Sequence, residues 1–251
     1  MHLAYWAPVI DGIFVNHQPD KALEIYSKNT ESPRVPLMFG ITSEEGLFFV
    51  KFAIPLPVPN VLSIYDLAVS LSFPDEIAKV LKLYYSEHFV DIREDAAIIV
   101  SDFVFRCPRR NMLETLFNGG KTDIWAYMIE RNNIPLKGGA MAACSKRPCH
   151  GTELVFIFQT FDVYDYIPTP EDLNLSHALV DYYANFIKYG DPNGHYSQIS
   201  PSLPLWQGFK DSGGKFRQLH FQKDGGLKVE DRRVDEKCDM WDRRGYLTWF
   251  I

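Results

Sequence analysis

Val35-Pro36-Leu37-Met38-Phe39-Gly40-Ile41 is a short apolar run, followed at once by the polar stretch Thr42-Ser43-Glu44-Glu45-Gly46. An apolar run of this length reads as a buried strand of a parallel sheet. The polar residues then form a loop at the strand's carboxyl end, where open α/β sheets place their chemistry. Thr122–Glu130, with Ile124, Trp125, Tyr127 and Ile129, reads as a second buried strand.

Helices and shorter strands fill the remainder. Ile77, Val80, Leu81 and Tyr84 recur at helical spacing after Pro74, while Pro55, Pro57 and Pro59 make Ile54–Asn60 extended and irregular. Asp95–Leu116 reads as helix on both sides of a kink at Pro108. Ser176 is the expected N-cap of a helix that runs to about Lys188 and is stopped by Gly190-Asp191-Pro192-Asn193-Gly194. Phe216–Phe221 and Leu227–Val229, split by Asp224-Gly225-Gly226, predict two short strands. The alternation of strand and helix predicts an α/β fold, and nothing marks a linker or a second domain.

Composition bounds the function classes. The 251 residues are 46% hydrophobic and 23% charged, with 16 Gly and 16 Pro, which is the balance of a globular chain and not of a low-complexity one. A formal charge of −6 and the absence of a long basic stretch argue against nucleic-acid binding. Arg232-Arg233 and Arg243-Arg244 are diluted by Asp231, Asp235, Glu236 and Asp242 into a mixed-charge surface. No segment reaches the roughly 18–20 apolar residues that span a bilayer, and strand-sized runs such as Leu154–Phe158 are the longest. Met1–Trp6 lacks a basic n-region, and Pro8 and Asp11 interrupt any apolar one, so no signal peptide is expected.

Two stretches carry candidate chemistry. Glu44-Glu45-Gly46 stands at a strand end, and Cys149-His150-Gly151-Thr152-Glu153-Leu154 places a histidine beside glycine in a loop. A carboxylate at a neighbouring strand end could orient that ring and stabilise its protonated form, as the third member of a catalytic triad does. The other histidines (2, 17, 88, 177, 195 and 220) share no spacing and read as structural. A triad also needs a nucleophile, in an α/β hydrolase a serine on a G-x-S-x-G elbow. That pattern is absent from the sequence, and Ser212, before Gly213, is wrongly spaced and follows His150.

The motifs resemble, in order, those of the C-terminal half of a type-B carboxylesterase, the family that includes the cholinesterases. Pro8-Val9-Ile10-Asp11-Gly12 is similar to its P-V-x-D-G segment, and Gly40–Phe49 to its G-x-x-x-x-E-G-x-x-F loop. Asp102-Phe103-Val104-Phe105-Arg106-Cys107-Pro108 resembles D-x-x-F-x-C-P, and Cys149–Leu154 resembles C-H-G-x-E-L, with Val155 where many relatives have Pro. Leu175-Ser176, Asn185-Phe186 and Gly190–Gly194 follow, and Lys237-Cys238-Asp239-Met240-Trp241 resembles the closing segment. The resemblance implies an α/β-hydrolase sheet in which residues 1–251 form a partial domain, without the N-terminal strands and nucleophile elbow. It makes Glu45, which precedes the Gly, the triad acid and His150 the base, and it sets Phe48 and Phe49 either in the substrate pocket walls or in the core. Glu153 and Asp102 are expected to be buried anchors that hydrogen-bond backbone.

The resemblance also implies a Cys107–Cys238 disulfide; by the loop-entropy account such a bond contributes on the order of 4–5 kcal/mol. Cys144 and Cys149 could close a small loop before His150, or, with His150, offer three ligands to zinc. Disulfides would imply an oxidising compartment and so secretion or passage through the secretory pathway, with which the sequon Asn174-Leu175-Ser176 agrees. The implied activity is hydrolysis of a small carboxylic ester by a Ser-Glu-His triad, with no cofactor and no bound metal. The serine would come from outside this chain, from a truncated reading of a longer gene or a separate N-terminal half. The alternative is a non-catalytic cholinesterase-like binding or adhesion module. Without the missing strands, the first strand would leave an unpaired apolar sheet edge. Peptide mapping under non-reducing conditions is expected to find Cys107 joined to Cys238; free thiols at both would remove the argument for export.

Overall fold

The computed structural model describes residues 9–86, 89–194, 203–213, 216–231 and 236–246, the side chains of Ile77 and Ala140 excepted. The Met1–Pro8 block, His2, His88, His195 and the Arg232-Arg233 patch lie outside the described residues. Four strands form one sheet in the order β1 (Leu37–Thr42), β2 (Ile124–Ile129), β3 (Arg217–Phe221), β4 (Leu227–Asp231). The first three are parallel, and β4 returns antiparallel to β3. This is a mixed α/β sheet. β2 is buried along its whole length, as an apolar run between two parallel neighbours must be. β1 ends the order, so its outer edge has no strand partner among the described residues.

Alternation along β2 divides the core between the two faces of the sheet. Trp125, Tyr127 and Ile129 pack with Leu175, Ala178, Leu179 and Tyr182 of α8 (Pro170–Tyr189) and with Leu47 of α2 (Gly46–Ala53). Ile124 and Ala126 point the other way, onto Leu113 and Leu116 of α6 (Cys107–Asn118), with Leu23 and Tyr26 of α1 (Pro19–Lys28) against them. Gly40 stands opposite Tyr127 in the β1–β2 register, and the Tyr127 ring occupies the space that a side chain at position 40 would need; a Cβ there would meet its Cζ at 1.7 Å. That phenol reaches on to the Tyr183 hydroxyl, 2.5 Å away.

A satellite core joins α3 (Leu62–Ser72), α4 (Ile77–Tyr84), α5 (Ile92–Val100) and α9 (Glu236–Arg244). Tyr65, Val69, Val80, Ile99, Phe103 and Trp241 are buried there around the Cys107–Cys238 disulfide. The Trp241 indole N–H donates to the Tyr84 hydroxyl at 2.8 Å, and that hydroxyl donates to Asp102 at 2.8 Å. Arg106 Nε lies 2.8 Å from the other Asp102 oxygen. Asp102 is therefore a buried anchor, with the Tyr84 and Arg106 side chains among its partners.

Two local readings need correction. The interruption between α5 and α6 is a π-helical turn, Ser101–Arg106, and Pro108 sits harmlessly in the first turn of α6, where a missing N–H costs nothing. Helix α8 starts at Pro170 and not at Ser176: Thr169 and Asp172 cap it reciprocally, and the buried Ser176 hydroxyl donates to the Phe156 carbonyl at 2.6 Å. The apolar run Leu154–Phe158, noted above only for its length, lies in a helix, α7 (Glu153–Phe158); so short a run carries no period that separates strand from helix.

Asp95 of α5 is wholly buried; Asn60 Nδ2 stands 3.4 Å from one carboxylate oxygen, and the other has no hydrogen-bond partner among the described residues. Burial pushes this carboxyl up to about 6. The folded state thus binds the proton more tightly than the unfolded chain, whose aspartates titrate near about 3.9. Stability falls as pH rises between these values and stays lowered above them. Asp95→Asn is expected to raise stability by about 2–3 kcal/mol above about pH 6 and to change it little near about pH 4. Urea denaturation across that range tests this; a variant equally destabilised at every pH would contradict it.

Candidate active site

The carboxyl ends of β1 and β2 bring two distant loops together. Ser43 N–H still donates to the Ile129 carbonyl at 2.9 Å, and Glu44 N–H then donates to the Pro148 carbonyl at 3.0 Å, so Glu44 pairs with Cys149 in a single parallel bridge. Glu45 comes next, at the N-cap of α2, where the helix dipole favours an anion. Its buried carboxylate accepts the Thr42 backbone N–H at 2.6 Å through Oε1 and meets His150 Nδ1 at 2.6 Å through Oε2.

His150 is half exposed, its side chain 48% accessible, and Nε2 has no hydrogen-bond partner among the described residues. Two rings flank the imidazole: Phe49, with centroids 5.1 Å apart, and Phe105, at 5.2 Å. Phe48 turns away, packing against the main core and stacking on Phe52. Nothing in the sequence marks Phe105 as a neighbour of the histidine. The π-helical turn carries it to the imidazole, and no periodicity announces such a turn.

The same turn supports the acid. Ser101 Oγ accepts the Gly46 N–H at 2.8 Å and donates to the Ala97 carbonyl at 2.8 Å, satisfying the first amide of α2. Glycine is needed at 46 because the helices cross closely: a Cβ there would lie 2.2 Å from the Ala97 carbonyl oxygen and 2.7 Å from Ser101 N.

Glu153 lies one turn beyond His150. Burial raises its carboxyl, the charge of Glu45 adds to that, and backbone N–H groups of Glu153 and Gly151 oppose it. Cys144 and Cys149 are bonded to each other, so the zinc arrangement, which needs both as thiolates, is excluded. The exposed Asn174 stands on α8, with the Ser176 of its sequon buried. His220 is buried between Glu130 and Glu230, 3.0 and 3.4 Å away, far in chain order from the His150 loop.

A sequence profile described as the Carboxylesterase family matches residues 1–241. The chain belongs to the carboxylesterase family. It is 30% identical over 248 residues to the "Crystal protein" of Dictyostelium discoideum, covering 96% of this chain and 42% of that protein. It is 24% identical over 246 residues to the human "Cocaine esterase", covering 90% of this chain and 40% of the relative. "Lipase 1" of Geotrichum candidum is 25% identical over 233 residues, 86% of this chain and 36% of the lipase. The chain thus spans about two fifths of the length of these relatives. Family membership implies the α/β-hydrolase fold, of which the four-stranded sheet with its flanking helices is a part. No helix among the described residues is long and apolar enough to cross a membrane, and the two disulfides are compatible with an oxidising compartment.

Gly46→Ala is expected to destabilise the chain by about 2 kcal/mol or more, because backbone cannot yield as a side chain can. Thermal or urea denaturation measures it; wild-type stability would show that α2 and α5 are not as closely apposed as described.

Proposed function

We propose that this chain supplies the acid and the base of a Ser-Glu-His triad, Glu45 and His150, to a carboxylic ester hydrolase. The observation that carries the reading is the 2.6 Å contact between the Glu45 carboxylate and His150 Nδ1 in a chain of the carboxylesterase family. In this reading Glu45 fixes the tautomer that bears its proton on Nδ1, leaving Nε2 bare to receive one. Nε2 takes the proton of a serine hydroxyl as the oxygen attacks the ester carbonyl, and returns it to the departing alcohol. Water then repeats the sequence on the acyl-enzyme. Phe49 walls the substrate beside the imidazole.

No G-x-S-x-G elbow occurs in the 251 residues, so the serine and the oxyanion donors come from elsewhere. Residues 1–251 then act as the C-terminal part of one catalytic domain, and the outer edge of β1 is where the remaining strands, in the same polypeptide or a separate N-terminal half, would pair. The substrate is a small carboxylic ester, and the chemistry calls for no cofactor. Disulfides joining all four cysteines support maturation in the secretory pathway, where Asn174 is a candidate for glycosylation. A non-catalytic binding module would also lack the elbow. Against that alternative, an adhesion surface has no chemical need of an imidazole oriented by a buried carboxylate.

The isolated chain is expected to hydrolyse p-nitrophenyl acetate no faster than buffer. Co-folded with a family N-terminal segment that bears the elbow, it is expected to gain activity that His150→Ala lowers by about 10⁴-fold or more. Turnover by the isolated chain, or activity of the complemented protein that survives His150→Ala, would overturn the reading.

A further inference from the structure

The family chemistry needs an acid and a base, but it says nothing of what holds the base in place. His150 lies just beyond a bend closed by the Cys144–Cys149 disulfide, which spans only five positions. Within that bend Lys146 adopts φ 59, a left-handed conformation that costs a non-glycine residue energy and persists only where its surroundings impose it. The bend is tied to β2 through Asn132, the buried residue three positions past the strand, whose Nδ2 donates to the Arg147 carbonyl at 2.7 Å and to the Cys144 carbonyl at 3.3 Å.

Arg147 supplies the tie on the other side. Its Nε and Nη2 both approach Glu44 Oε2 at 2.6 Å, and Nη2 also reaches Glu94 Oε2 at 2.9 Å. Glu94 is in turn held by Lys51 of α2 at 2.8 Å. The adjacent carboxylates Glu44 and Glu45 therefore grip the same loop at two points three residues apart, Arg147 and His150. Arg147 makes no hydrogen bond or ion pair to the imidazole, yet it pins the loop to α5 and to the residue just before Glu45.

We propose that Arg147, acting with the Cys144–Cys149 loop, is a positioning residue for His150, holding Nδ1 at hydrogen-bond distance from Glu45. This rests on the acid–base pairing argued above. Without the guanidinium the loop keeps its disulfide, its Asn132 contacts and the Glu44 N–H bond to the Pro148 carbonyl, but loses its ion pairs with the Glu44 and Glu94 carboxylates. The imidazole then samples orientations in which Nδ1 faces water. Because these ion pairs are partly exposed, the effect is a change of population and not a collapse.

The test is the exchange lifetime of the His150 Nδ1 proton in the 251-residue chain, read from its low-field NMR resonance. Arg147→Met keeps the aliphatic stem and removes the charge. It is expected to shorten the lifetime about threefold or more while the melting temperature stays near wild type, and Arg147→Lys is expected to recover part of the loss. The double variant Cys144→Ala/Cys149→Ala is expected to shorten it further. Should Arg147→Met lower the melting temperature, Glu94→Gln, which leaves Arg147 on Glu44 alone, gives the same reading at smaller amplitude. A lifetime unchanged in both Arg147→Met and Glu94→Gln would overturn the proposal. Glu45→Gln separates it from the underlying reading: if that substitution also leaves the resonance unaltered, the pairing of Glu45 with His150 fails, and Arg147 is not at issue.

Discussion

The contact between Glu45 and His150 joins residues 105 positions apart, and most of the architecture can be read as the means of closing that distance to 2.6 Å. Parallel pairing of β1 and β2 does the coarse work, since Leu37 opposite Ile124 through Thr42 opposite Ile129 sets both strand ends at one edge of the sheet. The ladder then continues in irregular form, through Ser43 to Ile129 and Glu44 to Pro148, so that the acid leaves one rung beyond the bridge to the histidine loop. A slip of one residue between the strands would turn Glu45 to the opposite face. Gly40 beneath the Tyr127 ring is a local guard on that register, because no other residue fits there.

Support for the pair comes from two directions. From below, α2 begins immediately after Glu45, and the π-helical turn satisfies its first amide through Ser101 while delivering Phe105 to the imidazole. From the side, the Cys107–Cys238 bond holds α6 to α9 across 131 positions, within an apolar core that buries Trp241 and Phe103. Burying an aromatic or aliphatic side chain of that size contributes about 1.5–3 kcal/mol. The satellite core, which buries Ile92 and Ile99 of α5, and its disulfide thus help to hold α5 and the turn with Ser101 against the start of α2. The site is partly solvated, and its rigidity comes from these neighbours.

The sequence made much of this legible, and its failures have physical reasons. Leu37–Thr42 and Ile124–Ile129 were readable as strands because parallel strands must be apolar on both faces. Glu45 and His150 stood out because each occupies a short motif with a glycine beside it. The π-helical turn is invisible in sequence, since it changes the hydrogen-bond ladder without changing the apolar pattern, and the place of Phe105 beside the imidazole is hidden with it. Pro108 drew the kink to itself, although proline is at ease in a first turn. Ser176 resembled a cap by residue type, but Thr169-Pro170-Glu171-Asp172 supplies the stronger start and leaves Ser176 to bond Phe156. The grip of Arg147 on Glu44 and Glu94 has no local signature, because its partners lie 103 and 53 residues away.

The central claim is that Glu45 sets the tautomer of His150, and the nitrogen chemical shifts of that imidazole test it most directly. With the chain labelled at histidine nitrogen, and at a pH where further added base no longer moves the ring shifts, the account predicts a proton on Nδ1 and a bare, acceptor-type Nε2. Glu45→Ala should let the ring relax toward the tautomer mixture of a free imidazole. A wild-type ring protonated on Nε2, or a tautomer indifferent to the loss of Glu45, would contradict the account.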